Sequence, residues 1–186
     1  RQENFTFYNI GHLLEIEPNT FSNITLLLND SQAKERIYFT PKPHQKKAID
    51  ECVEWFTEGE EERGQLILPC GAGKTFTALW IKEELKSNKT LILVPSLALL
   101  RQIKNEWSKQ RKTQYKYLCV CSEKDIDKDN SDSIVTHTYE IGGNVTTDSN
   151  EIYSFLNQDF QEKVIFSTYQ SLPAIIDSIK NTEIKF

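Results

Sequence analysis

QLILPCGAGKTFTALWIKEEL, residues 65–85, is the stretch on which the fold turns. It opens with a short apolar run bounded by Gly64 and Pro69, the pattern of a strand buried in a parallel sheet. A turn containing Gly71 and Gly73 follows, and then a segment from Thr75 to about Lys86 that places Leu79, Trp80 and Ile81 where a helix can pack on a sheet. Strand, glycine turn and helix in this order make a phosphate cradle. The glycines let backbone N–H groups converge on an anion, and the positive end of the helix is aimed at the same point. Lysine then neutralises β- and γ-phosphate charge, while a Ser or Thr hydroxyl helps to hold magnesium. The general pattern G-x-x-x-x-G-K-[ST] fits at Gly73, Lys74 and Thr75, but Leu68 stands where the first glycine belongs. The nucleotide-binding candidates are Pro69, Cys70, Gly71, Ala72, Gly73, Lys74 and Thr75, with ATP as ligand. Lys74 and Thr75 are the catalytic candidates, Thr75 through Mg2+ carried by the nucleotide.

Outward from this run the chain alternates between helical and strand patterns. Ahead of it, Ala48, Ile49, Cys52, Val53 and Phe56 recur at helical spacing, with Pro43 placed for the first turn and an end expected near Gly59. Behind it, TLILVP (90–95) reads as a second buried strand. Ser96 can cap a helix whose apolar stripe is Leu99, Leu100, Ile103 and Trp107. YKYLCVC (115–121) and KVIFSTY (163–169) read as further strands, and a short helix is expected near Glu151 to Leu156. Strands separated by helices imply an α/β fold, a parallel sheet with helices on both faces. Residues 1–40 form an N-terminal extension of unassigned role, and 41–186 the α/β unit, with an acidic excursion at about 122–162 that contains Gly142 and Gly143.

Composition narrows the function classes. Hydrophobic residues make up 38% and charged residues 26%, an ordinary globular balance. No apolar run approaches the ~20 residues that cross a bilayer, so a membrane partner is not expected. The cysteines Cys52, Cys70, Cys119 and Cys121 fit neither zinc spacing nor a disulfide framework, which favours a reducing, cytoplasmic setting. The sequence has no methionine, even at its start, and reads as part of a longer protein. Its net charge is −5, unevenly spread. Arg101, Lys104, Lys109, Arg111, Lys112 and Lys116 face a single acid, Glu106, over 101–116, whereas 123–162 is rich in acids. Only the basic strip suits phosphates; charge alone favours a solvated face for both.

LPCGAGKT (68–75) closely resembles motif I of superfamily 2 helicases and translocases of the DEAD/DEAH type, in which the first glycine position is permissive. KPHQKKAID (42–50) resembles the segment preceding that motif, and the resemblance implies that Gln45 reads adenine through its amide; Lys42 stands where arginine is commoner. LILVPSLALLRQ (91–102) is similar to motif Ia, which implies nucleic-acid contact by Ser96, Arg101 and Gln102. VIFSTYQSL (164–172) resembles the next nucleic-acid-facing motif, with Ser167, Thr168, Tyr169 and Gln170 at a strand end; Thr168 and Tyr169 are the binding candidates. The acidic excursion followed by VIFSTYQSLPAI looks like bacterial restriction-enzyme helicase subunits, the type III Res group and single-polypeptide enzymes. The resemblance covers about residues 40–180 and implies a P-loop NTPase (RecA-like) first lobe, cut before the motif II strand. It implies ATP, Mg2+, a nucleic-acid partner (double-stranded DNA), a second RecA-like lobe and possible nuclease or methyltransferase domains in the intact, cytoplasmic bacterial protein.

Hydrolysis in this superfamily needs a D-E-x-H-like motif, and no such tetrad occurs in the 186 residues. Asp50-Glu51 lies in the helix before the cradle and reads as solvated surface. The expectation is a chain that holds phosphates without hydrolysing them. An RNA or repair helicase of the same superfamily, a P-loop kinase, and a non-catalytic nucleic-acid-binding module with a structural loop remain open. The kinase would need an arginine-rich lid and an acceptor site, and neither is visible.

Overall fold

The computed structural model describes residues 38–59, 61–122, 141, 144–180, 182–184 and 186. Most of the N-terminal extension and of the acidic excursion, Gly142 and Gly143 included, lies outside the described residues. The described part is a four-stranded parallel sheet with helices on both faces, as the alternation of patterns predicts. Helix α1 (Pro43–Thr57) comes first, then α2 (Lys74–Glu84), β1 (Lys89–Val94), α3 (Leu97–Gln110) and β2 (Lys116–Val120). A two-residue strand β3 (Val145–Thr146), α4 (Ser149–Leu156), β4 (Lys163–Thr168), a 3-10 turn (Tyr169–Ser171) and α5 (Leu172–Ile179) complete it. The spatial order is β1-β4-β2-β3, all pairs parallel. The last long strand therefore inserts between β1 and β2, with Val94 level with Thr168 and Val120 level with Ser167.

That insertion explains why all six residues of β4 are buried. Val164 and Phe166 point to a core shared with Leu79 of α2 and with Leu97, Leu100 and Trp107 of α3. Ile165 points the other way, against Ile152, Phe155 and Leu156 of α4 and Ile175 of α5. Each large apolar side chain buried in this way stabilises the fold by roughly 1.5–3 kcal/mol. Phe166 meets Trp107 and Tyr117 edge-on, at 5.9 and 6.1 Å between ring centroids, the geometry favoured by the aromatic quadrupole.

Local signals account for the helix ends. Pro43 occupies the first turn of α1, where its missing N–H costs nothing, and Gln45 Oε1 accepts from Lys42 N–H at 2.9 Å. Ser96 caps α3 by accepting from Leu99 N–H at 3.4 Å. Asp148 does the same for α4, from Asn150 N–H at 2.8 Å.

Three expectations need correction. Residues 65–68 form no strand: Leu66 is 41% and Ile67 79% exposed, and neither joins the sheet. An apolar run specifies burial on both faces but not a neighbour, and a parallel strand needs a neighbour for its ladder. Here a cleft of about 770 Å³ separates the run from β1 and is lined by Leu66, Leu68, Ala78, Ile81, Ile92 and Trp107. The buried stripe of α3 is Leu97, Leu100, Lys104 and Trp107, so Leu99, 40% exposed, falls outside it. β3 and α5 were not anticipated; two residues carry no periodicity, and α5, whose first turn holds Pro173, has only eight residues.

Candidate nucleotide-binding site

The glycine turn is built as its sequence requires. Gly71 and Gly73 have φ of 75° and 79°, left-handed conformations that a side chain would strain. Ala72 N–H donates to Pro69 O at 3.3 Å, closing the turn. Gly73 is the N-cap of α2, and Thr77 N–H donates to its carbonyl at 3.1 Å. The loop thus ends directly on a helix N-terminus, where backbone N–H groups and the helix dipole favour an anion.

Lys74, exposed, folds back over the turn, and its Nζ donates to Leu68 O at 3.2 Å and Pro69 O at 3.0 Å. A phosphate oxygen at this ammonium would replace a neutral carbonyl acceptor by a charged one, a stronger bond. Thr75, one residue further, lines the cleft with Lys74, while its carbonyl accepts from Trp107 Nε1–H at 2.9 Å. Cys70 is an exposed free thiol on the turn. Cys52 lines the cleft; burial first, and then the Glu51 carboxylate, push its thiol pKa up.

Gln45 is placed against this loop by α1, although 28 residues separate it from Gly73. It is 4% exposed, and its Nε2 lies 3.1 Å from Ala72 O, 3.3 Å from Gly73 O and 3.3 Å from Thr77 Oγ1. His44 reaches the same Ala72 carbonyl at 3.4 Å. Above the loop helix Phe39 meets Phe76 edge-on at 5.3 Å, and Phe76 meets Trp80 at 6.1 Å. Sequence reasoning passed over Phe39 and Phe76, whose only signal is their proximity to the two motifs.

Ser96 and Tyr169 lie just past the C-terminal ends of neighbouring strands, and Arg101 and Gln102 lie in α3. Ser96 follows β1 and Tyr169 follows β4, and those strands pair through Val94 and Thr168. Tyr169 is 56% exposed. Gln102 is exposed and donates to Glu106 Oε1 at 2.8 Å, while Arg101 lies half-buried beside it on α3. Thr168 is 0% exposed, so its hydroxyl is not presented to a phosphate; packing within the central strand consumes it. Ser167 is also buried, its Oγ donating to Thr168 O at 3.0 Å. Asp50 and Glu51 sit on the solvent face of α1, opposite Lys46 and Lys47 at 3.9 and 3.7 Å, as expected of surface residues.

A parallel α/β sheet with a glycine loop running onto a helix defines a P-loop type of nucleotide-binding fold. Residues 38–185 match the family described as "Type III restriction enzyme, res subunit", and the chain belongs to that family. Among solved structures it is similar to the ATP-dependent Type ISP restriction-modification enzyme LlaBIII bound to DNA, with 31% identity and a TM-score of 0.69. That match covers 83% of this chain and 10% of the other. It is also similar to a nuclease-deletion mutant of the Type ISP enzyme LlaGI in complex with a DNA substrate mimic, with 32% identity and a TM-score of 0.61. There the match covers 80% of this chain and 14% of the other. No curated protein matches. The chain thus spans about a tenth of the first enzyme, within the helicase-like first lobe that motifs I and Ia imply.

Proposed function

We propose that this chain is the ATP-binding opening of a superfamily 2 motor that couples ATP hydrolysis to movement along double-stranded DNA in a restriction–modification type enzyme. The observation that carries the reading is the loop itself. Two left-handed glycines end on a helix N-terminus, and Lys74 hangs over the turn, held by the carbonyl oxygens of Leu68 and Pro69. ATP would place its β- and γ-phosphates among the loop N–H groups and Lys74, with Mg2+ held through Thr75. Ser96 and Tyr169, past the ends of β1 and β4, and Arg101 and Gln102 of α3 would face the nucleic acid, with Arg101 on phosphate. The partners would be DNA and further domains of the same polypeptide, including a second RecA-like lobe, in the bacterial cytoplasm.

The cleft between residues 65–68 and β1 supports this reading. β1 is an edge strand with the sequence KTLILV, apolar on both faces and without the central charges or proline that natural edges use as protection. Such a strand suits the interior of a wider sheet. The magnesium-completing carboxylate of the superfamily would come from outside these 186 residues, so the chain alone would bind ATP and turn it over negligibly. The test is ATP hydrolysis by the chain and by the intact enzyme, with duplex DNA, single-stranded DNA or RNA added. Stimulation of the intact enzyme by duplex DNA, abolished by Lys74→Ala, supports the motor. Substantial turnover by the chain alone contradicts the truncated-motor reading, and stimulation by RNA alone favours an RNA helicase.

A further inference from the structure

Trp107 reaches from α3 to the first turn of α2, and its partner there is the backbone of Thr75. The indole is 2% exposed, and its Nε1–H donates to the Thr75 carbonyl at 2.9 Å. A backbone carbonyl has two lone pairs, so it can accept this bond and a helix bond together. Thr75 follows Lys74 directly, and both line the cleft. The bond therefore sits on the backbone of the residue that would hold magnesium. The other side of the indole rests edge-on against Phe166 of β4, with 5.9 Å between centroids and 78° between ring planes.

A buried N–H that loses its acceptor costs free energy, so the indole follows the Thr75 carbonyl when that carbonyl moves. Phosphates and Mg2+ drawn to the loop N–H groups and the Thr75 hydroxyl would pull on this turn. Packed side chains and rigid helices carry such a pull between sites. Here the helix is α3, which begins at the Ser96 cap and carries Arg101 and Gln102, the residues assigned above to nucleic acid. We propose that Trp107 is a positioning residue that passes the state of the phosphate loop, through the Thr75 carbonyl, to the helix that faces nucleic acid. A ligand in the loop fixes the Thr75 end of the bond and so restrains α3. By linkage, nucleic acid held on α3 favours the filled loop. This rests on the nucleotide-binding reading above and deepens it by naming the route between the two sites.

The test is amide hydrogen exchange of the chain with and without MgATP, for the wild type, Trp107→Phe and Leu100→Ala. Leu100→Ala opens a cavity in the same core but keeps the indole donor. In the wild type MgATP should slow exchange over residues 69–77 and, by about threefold or more, over 97–110. Residues 149–156, on the other face of the sheet, should not respond. Trp107→Phe should keep the response at 69–77 and lose it at 97–110, whereas Leu100→Ala should keep both. Loss at 97–110 in both variants assigns the effect to packing and overturns the proposal. A response at 97–110 that survives in Trp107→Phe, or slowing that spreads alike to 149–156, also overturns it. Should Trp107→Phe fail to fold, the indole N–H resonance of wild-type Trp107 decides: it should move when MgATP is added, and a fixed resonance overturns the proposal. No response at 69–77 in the wild type means that the loop binds no nucleotide, and the proposal falls with that reading. A wild-type response at 69–77 without one at 97–110 overturns the proposal alone.

Discussion

Trp107 Nε1–H donates to the carbonyl oxygen of Thr75 at 2.9 Å, tying the helix that leaves the glycine loop to the helix capped by Ser96. The same indole stacks edge-on against Phe166 of the central strand. One side chain thus fixes the loop helix, the Ser96 helix and the sheet relative to one another. Trp107→Phe keeps most of the ring but removes the donor and leaves a small void. The expected cost is about 1–3 kcal/mol of unfolding free energy, read from the shift in urea midpoint at unchanged m-value.

At the far end of α2, Lys82 is 4% exposed and paired with Glu162, which also accepts from Thr113 Oγ1 at 2.9 Å. Removing one partner of a buried pair leaves the other charge uncompensated. Glu162→Gln should therefore destabilise the chain by about 3–5 kcal/mol, whereas a double change to Lys82→Met and Glu162→Leu should recover most of the loss. Thermal denaturation of the two variants measures both effects.

Tyr115 gives the fold an alkaline limit. Burial pushes its phenol pKa up to about 12, against the partly opposing field of Arg111. Because the folded pKa lies above the unfolded value near 10, the contribution is fully present below about pH 10 and is lost as pH rises towards 12. Two units correspond to about 2–3 kcal/mol. The Ser108 hydroxyl beside the buried phenol also partly opposes that rise. Tyr115→Phe should flatten the decline of stability between pH 10 and 12, as followed by circular dichroism.

Gly73→Ala should damage the loop through its left-handed φ of 79°, which a side chain strains, while the Gln45 amide has to give way to the new methyl group. The predicted loss is at least tenfold in phosphate-ligand affinity with a smaller effect on melting, because the strain is confined to the turn.

Much of this was legible in the sequence because the signals were local. Gly71 and Gly73 mark left-handed positions, Ser96 a cap, Pro43 a first turn, and Val164-Ile165-Phe166 the apolar heart of β4. Failures came where the outcome depends on distant chain. Residues 65–68 have the composition of a buried strand but no neighbour to pair with. Leu99 satisfies the helical period one position away from the true stripe, which Leu97 begins. Thr168 belongs to a strand whose central place, and hence complete burial, follows from sheet order rather than from its own neighbours in sequence. The orientation of the Gln45 amide could not be read at all, since its partners lie about 30 residues away.

The most direct measurement is calorimetric titration of the chain with MgATP, alongside Lys74→Ala. Lys74 exchanges two carbonyl acceptors for phosphate oxygens, each charge-assisted bond contributing roughly 1.5–3 kcal/mol. The wild-type chain should bind MgATP, and Lys74→Ala should weaken that binding by at least about tenfold. Equal affinity of the two proteins for MgATP would contradict a phosphate cradle at residues 69–75.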